Sequence, residues 1–202
     1  MNGKKSSNRS KQSRAAADRS QLRKRLIWIG GIVVVLGGAV FIAADVAQPE
    51  APPPPELEAT ETFEELDPVH LAPGSPTPEY NSDPPTSGPH DPSPAPCGIY
   101  REPVSDQGWL HSLEHGAVFV QYDPSLPETD IEAVEDMVRS NGREILLAPR
   151  PGIPAPYALG AWTRLLLVDE IDQNLVDSFE REFGNRFSPE PGAVCPFAID
   201  QS

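Results

Sequence analysis

The longest apolar run of the chain lies close to its N-terminus. Residues 26–44 (LIWIGGIVVVLGGAVFIAA) contain no charged side chain. At about 1.5 Å per residue, a helix of this length crosses the hydrocarbon core of a bilayer, which is about 30 Å thick. The run therefore predicts one transmembrane helix. A cleaved secretory leader is the alternative, because a basic start followed by an apolar stretch also describes a leader. Against it, the run is long and lacks a good cleavage site.

In the C-terminal half, apolar positions recur with strand and helix periods. Runs rich in β-branched and aromatic residues predict three strands, at 117–122, 143–149 and 161–170. Apolar residues at helical spacing, each series stopped by a glycine, predict helices at 127–142 and 172–184. The order β-α-β-β-α predicts a small single α+β domain that follows a long, irregular, proline-rich segment.

The segment between the apolar run and this domain is acidic and rich in proline. Residues 45–68 include four consecutive prolines and few large apolar side chains. Because such a composition cannot bury enough surface to offset the entropy of ordering, we expect an extended linker. The predicted organisation is then a basic tail at 1–25, the transmembrane helix at 26–44, this linker, and an outer domain at 69–202.

Charge is distributed unevenly on the two sides of the predicted helix. The first 25 residues carry nine Lys or Arg and one acid, whereas the part after residue 44 carries 29 acids and seven Arg. The positive-inside tendency predicts a cytoplasmic tail and an extracytoplasmic domain, held at the cell membrane by one helix. Nucleic acids attract basic surfaces, so the acidic domain is not expected to bind them. The sequence does not identify a protein partner.

The chain has two cysteines, Cys97 and Cys195. An even pair in an oxidising compartment predicts a disulfide, with free or metal-bound thiols as the alternative. In the chain-entropy model, closing a loop of about 100 residues stabilises a fold by up to about 4.7 kcal/mol.

All four histidines fall within a short stretch of the outer segment, at His70, His90, His111 and His115. Neutral imidazole is the commonest metal ligand in proteins, and three or four can close a Zn(II) or Cu(II) site. If the cysteines are oxidised and Met137 faces the core of its helix, the soft ligands that favour Cu(I) are absent. We therefore predict a Zn or Cu site at His90, His111 and His115, with His70 as a further candidate ligand.

One of these histidines ends a stiff loop, SDPPTSGPH, at 82–90. Proline fixes its own φ and pushes the preceding residue out of the α region, so Asp83, Pro84 and Gly88 are expected to be extended. Thr86 and Ser87 can bond the backbone groups that such a loop leaves unpaired. The loop can thus hold His90 in place. The alternative is a rigid surface loop with an incidental histidine.

The segment HSLEHG (111–116) fits the H-x-x-E-H pattern of inverted zinc peptidases. In that pattern the two histidines bind zinc and the glutamate, here Glu114, is the general base. Gly108 and Gly116 leave room for at most two helical turns, and nothing in the sequence selects a third ligand. A metal-dependent hydrolase that uses Glu114 is therefore an alternative, and a metal-free interaction module with a hydrogen-bonded His-Glu network is another.

Four segments together carry a family resemblance. They are YNSDPPTSGPH (80–90), CGIY (97–100), LHSLEHGAVFVQYDP (110–124) and ALGAWTRL (158–165). With them the chain resembles the bacterial family catalogued as domain of unknown function 3105, over roughly residues 66–191. The family is one of mostly membrane-anchored or exported proteins without an assigned activity, so the resemblance implies the topology and names no reaction. By resemblance, the motif residues are His90, His111, Glu114 and His115. His70 matches the family pattern more loosely, which makes it the weakest of the four histidines.

Overall fold

The computed structural model describes residues 52–141 and 145–190, together with the backbone of three short strands. The chain forms two compact units, Met1–Glu50 and Ala51–Ser202. In the first unit, β1 (Val35–Leu36) pairs antiparallel with β2 (Ala39–Val40). The rest of the predicted transmembrane segment and the basic tail lie outside the described residues. Within the described part of the chain, no helix is both long and apolar enough to cross a membrane, and the predicted membrane helix stays a prediction.

The second unit is built on a seven-stranded mixed sheet. Its strands are β3 (Glu61–Thr62), β4 (Cys97–Tyr100), β5 (Val118–Tyr122), β6 (Ile145–Pro149), β7 (Tyr157–Ala161), β8 (Arg164–Val168) and β9 (Phe197–Gln201). Their order across the sheet is β3-β8-β7-β5-β6-β4-β9. The pairs from β5 to β9 are parallel, and those from β5 back to β3 are antiparallel.

Three helices cover the two faces of this sheet. They are α1 (Asp106–Glu114), α2 (Glu128–Asn141) and α3 (Gln173–Phe183). Successive side chains of a strand point to opposite faces, and β5 shows this directly. Val118 and Val120 pack in one core cluster with residues of α2 and α3, whereas Phe119 packs in the other with Trp109 of α1. Of the three described α-helices, α1 therefore packs on one face of the sheet, and α2 and α3 pack on the other.

The mixed α+β single domain predicted from the sequence is confirmed. The strands β5 and β6 and the helices α2 and α3 form where the periodicity predicts them. The α3 helix begins as expected for a capped helix, since the Asp172 carboxylate accepts a hydrogen bond from Leu175 N at 2.7 Å. The predicted stop of α2, Gly142, lies outside the described residues.

The order of elements differs from the predicted β-α-β-β-α order. Regular structure begins before residue 109, because CGIY forms β4 and α1 starts at Asp106. The run predicted as one strand at 161–170 is the end of one strand and the whole of the next, β7 and β8. Between them the chain turns at Trp162 and Thr163, and Thr163 has φ +63° without being a glycine, so no local signal marks the turn.

The expected linker is ordered at its C-terminal end. A 3-10 helix forms at Pro55–Ala59, and β3 pairs with β8 at the edge of the sheet. Leu57 packs against the cluster that contains α2 and α3, and Phe63 against the cluster that contains α1. A few well-spaced apolar side chains are therefore enough to bring this part of the proline-rich segment into the domain.

Cys97 lies in β4 and is completely buried. Its predicted partner, Cys195, is outside the described residues, so the disulfide stays a prediction. Cys97 itself is paired with Phe197 of β9, which follows Cys195 by two residues in the sequence.

Candidate metal centre

The proline-rich loop that ends at His90 runs through the interior of the domain. Residues 84–88 are buried, and Thr86 and Ser87 are completely inaccessible to solvent. Ser87 Oγ accepts a hydrogen bond from Leu66 N at 3.1 Å, as expected for a side chain that bonds unpaired backbone groups. The Thr86 carbonyl accepts another from Thr163 N, in the turn between β7 and β8. The alternative of a surface loop is therefore wrong, and we call residues 82–90 the buried arm.

Gly88 makes the turn that aims His90. Its φ of +122° corrects the expected extended conformation, because L side chains rarely adopt this value. A Cβ at this position would also lie 3.2 Å from Leu66 Cβ and from Tyr80 Cδ1. The Gly88 carbonyl then faces His90 Nδ1, which donates to it at 2.9 Å. The ring of His90 is thus oriented by the arm itself.

The backbone of the arm also brings in His70. His70 and His90 form an isolated parallel bridge. His90 N donates to Val69 O at 3.0 Å, and Leu71 N donates to His90 O at 2.7 Å. The centroids of the two imidazoles are 5.1 Å apart. His70, the weakest of the four predicted ligands, therefore lies at the site.

The α1 helix supplies the other two side chains. His111 and Glu114 are three residues apart and so share a face of the helix. Both are buried. His111 Nδ1 donates to the carbonyl of Asp91 at 2.6 Å, directly after the last residue of the buried arm. The helix and the arm are therefore joined at the site by the imidazole itself.

The three imidazoles converge on one carboxylate oxygen of Glu114. The distance from Glu114 Oε2 is 3.0 Å to His90 Nε2, 3.8 Å to His70 Nε2 and 4.0 Å to His111 Nε2. All four ligand atoms lie within 4.8 Å of one another. Two ligands at about 2.1 Å from a tetrahedral ion are separated by about 3.4 Å. The distances from Glu114 Oε2 lie on both sides of this value, so small side-chain adjustments would fit the group around an ion. We call His70, His90, His111 and Glu114 the primary cluster.

The hydrogen bonds of His90 and His111 determine which ring nitrogen is available. A backbone carbonyl only accepts, so each Nδ1 carries the proton. In the neutral ring, each Nε2 then presents a lone pair towards Glu114. His90 Nε2 and Glu114 Oε2 are buried, and neither has a hydrogen-bond partner. Two acceptors at 3.0 Å repel one another unless a cation or a proton lies between them.

Electrostatics favour neutral His111. Burial lowers its pKa below the ordinary value of 6.5, and the neighbouring imidazoles of His90 and His115 act in the same direction. The hydrogen bond to the Asp91 carbonyl and the charge of Glu114 oppose this shift. A neutral imidazole is the form that binds a metal ion.

His115 lies outside the primary cluster. The α1 helix ends at Glu114, and His115 follows with φ −80° and ψ 0°, so the H-x-x-E-H segment is not on one continuous helix. Its ring instead approaches Glu190, with Nε2 3.4 Å from Oε2. Glu114, His115 and Glu190 form an adjoining group that could hold an ion. Glu190 was not predicted, because an isolated glutamate 75 residues downstream carries no local signal.

The fold and the site together define an α+β domain that carries a His/Glu group able to hold a metal ion. The family model for Protein of unknown function (DUF3105) matches residues 74–196, more than half of the chain, and the chain belongs to this family. The resemblance drawn from the sequence is thereby confirmed. His90, His111, Glu114 and His115 lie within the match, and His70 precedes it. No curated protein and no solved structure matches the chain.

Proposed function

We propose that this chain is a membrane-anchored, extracytoplasmic metal-binding protein whose primary cluster binds one Zn(II) or Cu(II) ion. The observation that carries the proposal is the buried contact of His90 Nε2 with Glu114 Oε2, at 3.0 Å and without any other hydrogen-bond partner. A divalent cation would satisfy both lone pairs at once. Burial of unpaired acceptors costs about 1–3 kcal/mol per group, so an interior that retains them needs a reason.

The donor set supports a borderline divalent ion. Three imidazole nitrogens and one carboxylate oxygen suit Zn(II) or Cu(II), whereas Cu(I) prefers thiolates and thioethers. Cys97 belongs to a separate buried cluster with Ala117 and is not among the four residues of the primary cluster. Metal ligands of this type also have their second ring nitrogen held by a carbonyl, as His90 and His111 do.

The exposure of His70 supports an ion that can be exchanged. Its side chain is 50% exposed, whereas those of His90, His111 and Glu114 are nearly inaccessible. Three ligands would thus be held rigidly in the interior, and the fourth would be free to leave. A site of this kind suits the binding and release of an ion better than a purely structural role.

The geometry favours binding over the hydrolase alternative. A general base of the H-x-x-E-H type must act on metal-bound water and not bind the ion. Here the Glu114 oxygen is the atom on which all three histidines of the primary cluster converge. We therefore propose Glu114 as a ligand and assign no catalytic residue.

Metal analysis of the purified full-length protein in detergent tests the proposal. After chelation and reloading with Zn(II) or Cu(II), we expect at least one tightly held ion per chain. Glu114→Gln should weaken its binding by more than about 100-fold, since even partners of ligands contribute 10–100-fold. Glu135→Gln is the matched control, because Glu135 is another buried helix carboxylate but is paired with Arg101 and Arg139.

Two results would contradict the proposal. If neither ion is retained in stoichiometric amount, the site does not bind metal. If Glu114→Gln keeps the ion but abolishes a hydrolytic activity, Glu114 is a base and the hydrolase alternative is correct. The anchoring is tested separately, because residues 26–44 should keep the protein in the membrane after carbonate extraction.

A further inference from the structure

The group formed by Glu114, His115 and Glu190 adjoins the primary cluster, which does not use His115 or Glu190. Its ligand atoms lie within 4.8 Å of one another. It shares Glu114 with the primary cluster, and its histidine is close to that cluster, since the centroids of His111 and His115 are 4.7 Å apart. Two carboxylates and one imidazole thus lie together beside the proposed metal site.

Buried polar atoms in this group lack partners. His115 Nδ1 is buried and makes no hydrogen bond within the described part of the chain. The Glu114 side chain is only 6% exposed, and its Oε2 is likewise without a hydrogen-bond partner. Glu114 therefore contributes a buried carboxylate oxygen without a hydrogen bond. Glu190 contributes a second carboxylate from the surface, where its side chain is 57% exposed.

The fold holds Glu190 in this position through the backbone. Glu190 N donates to the carbonyl of Glu114 at 3.2 Å, and Asn185 N donates to the carbonyl of Gly116 at 2.9 Å. Gly116 has φ +95°, and a Cβ there would overlap Asn185. The segment that follows α3 can thus approach the end of α1 only because residue 116 has no side chain.

We propose that Glu114, His115 and Glu190 bind a second divalent cation, so that the Glu114 carboxylate bridges two ions. A carboxylate has two oxygens with about four lone-pair sites, which is sufficient for a bridge. Pairs of ions held in this way are about 3.5–4 Å apart in known two-metal sites. The inference rests on the proposed function, because the bridge requires an ion in the primary cluster.

The two positions should differ in affinity. The primary cluster offers three imidazoles and one carboxylate, most of them buried. The second position offers one imidazole and two carboxylates, and it is open to solvent at Glu190. The second ion should therefore bind more weakly and be the more easily removed. Because two of its three ligands are carboxylates, this position suits Mn(II) as well as Zn(II).

Titration of the metal-free full-length protein with Zn(II), followed by calorimetry and by metal analysis, tests the second position. We expect two ions per chain that bind in two separate steps. Glu190→Gln should reduce the number from two to one and leave the tighter step unchanged. Glu170→Gln, an exposed glutamate outside the group, is the control and should retain both steps.

Titration with Cu(II) tests the bridge itself by electron paramagnetic resonance. The first equivalent should give the spectrum of an isolated ion, and the second should reduce the signal per ion through spin coupling. One ion per chain in the wild type, unaffected by Glu190→Gln, would overturn the second position and leave the proposed function intact. No bound ion would overturn both. Two ions with a simply doubled signal would overturn the shared carboxylate.

Discussion

Glu114 is the residue on which both groups of the site depend. It is the third residue after His111 on α1, and its Oε2 is the common neighbour of three Nε2 atoms. Glu135 is an equally buried carboxylate, but two arginines neutralise it, at 3.0 and 3.1 Å. The comparison of these two residues isolates the effect of an unpaired buried charge.

In the metal-free protein at pH 8, Glu114→Gln should raise the free energy of unfolding by about 1–3 kcal/mol. The lone pair of His90 Nε2 can accept a hydrogen bond from a glutamine amide, so two unpaired acceptors become one hydrogen bond. Glu135→Gln should lower the free energy of unfolding instead, because it breaks a buried ion pair. Urea denaturation with a chelator measures both changes. A loss of about 3–5 kcal/mol for Glu114→Gln would indicate an imidazolium–carboxylate pair and a metal-free network.

Tyr80 provides a pH-dependent measure of how the buried arm is held. Its hydroxyl donates to Pro89 O at 2.8 Å. Burial, together with the charges of Asp106 and Asp91, raises its pKa from 10.0 to about 12. The unfolded chain therefore loses this proton first, and the stability that Tyr80 contributes should be present below pH 10 and be lost as the pH rises from 10 to 12. Unfolding of wild type and Tyr80→Phe between pH 8 and 12 should show a shallower decline for the variant, and equal slopes would contradict the raised pKa.

At the scale of elements, the site depends on the junction between the buried arm and α1. The arm has no regular hydrogen-bond ladder, so it is supported by single contacts to its neighbours. Ser87 receives a bond from Leu66, and Trp109 Nε1 of α1 donates to Pro85 O at 3.3 Å. The junction closes at the site, where His111 Nδ1 donates to Asp91 O.

Gly88→Ala should distinguish an effect on the metal site from an effect on the stability of the fold. The substitution strains a residue at φ +122° and presses a methyl group against Leu66 and Tyr80. We expect a loss of about 1–3 kcal/mol in stability and, because His90 moves, a fall in metal affinity of at least tenfold. Gly152→Ala is the control, since Gly152 also has a positive φ, +79°, but has open space around it. Thermal denaturation and metal titration measure the two effects, and an unchanged affinity in Gly88→Ala would show that the arm does not position His90.

At the scale of the whole molecule, strands from both ends of the domain belong to the same sheet. The strand β3 near the start pairs with β8, and β9 near the end pairs with β4. The predicted disulfide would add a covalent connection to β4, the strand next to the edge strand β9. Because Cys97 is completely buried, its contribution by packing must be separated from that of the bridge.

If Cys97 and Cys195 are bonded, each single alanine substitution should lower the free energy of unfolding by about 2–5 kcal/mol, and the double substitution should cost scarcely more than either. Denatured, non-reduced wild type should resist alkylation and become doubly alkylated only after reduction. Intact-mass measurement gives the count of alkylated thiols. Additive losses of stability, or two reactive thiols without reduction, would show that no bridge forms.

Local periodicity in the sequence was sufficient to predict two strands of the sheet and two helices. Alternating or continuous apolar residues identified β5 and β6, and helical spacing identified α2 and α3, because these patterns depend only on near neighbours. The histidines, the motif glutamate and the stiff character of the loop could also be read from the residues. The division of residues 157–168 into two strands could not, since it depends on Thr163 at φ +63°.

Only the tertiary structure decided how the site is assembled. The parallel bridge of His70 with His90, the inclusion of Glu114 among the imidazoles and the separation of His115 all depend on contacts between distant parts of the chain. A short motif gives the residue types, but the end of α1 at Glu114 determines where each side chain points. The buried arm is the clearest case: its prolines made it stiff by sequence, and burial against α1 and the turn after β7 made it part of a site.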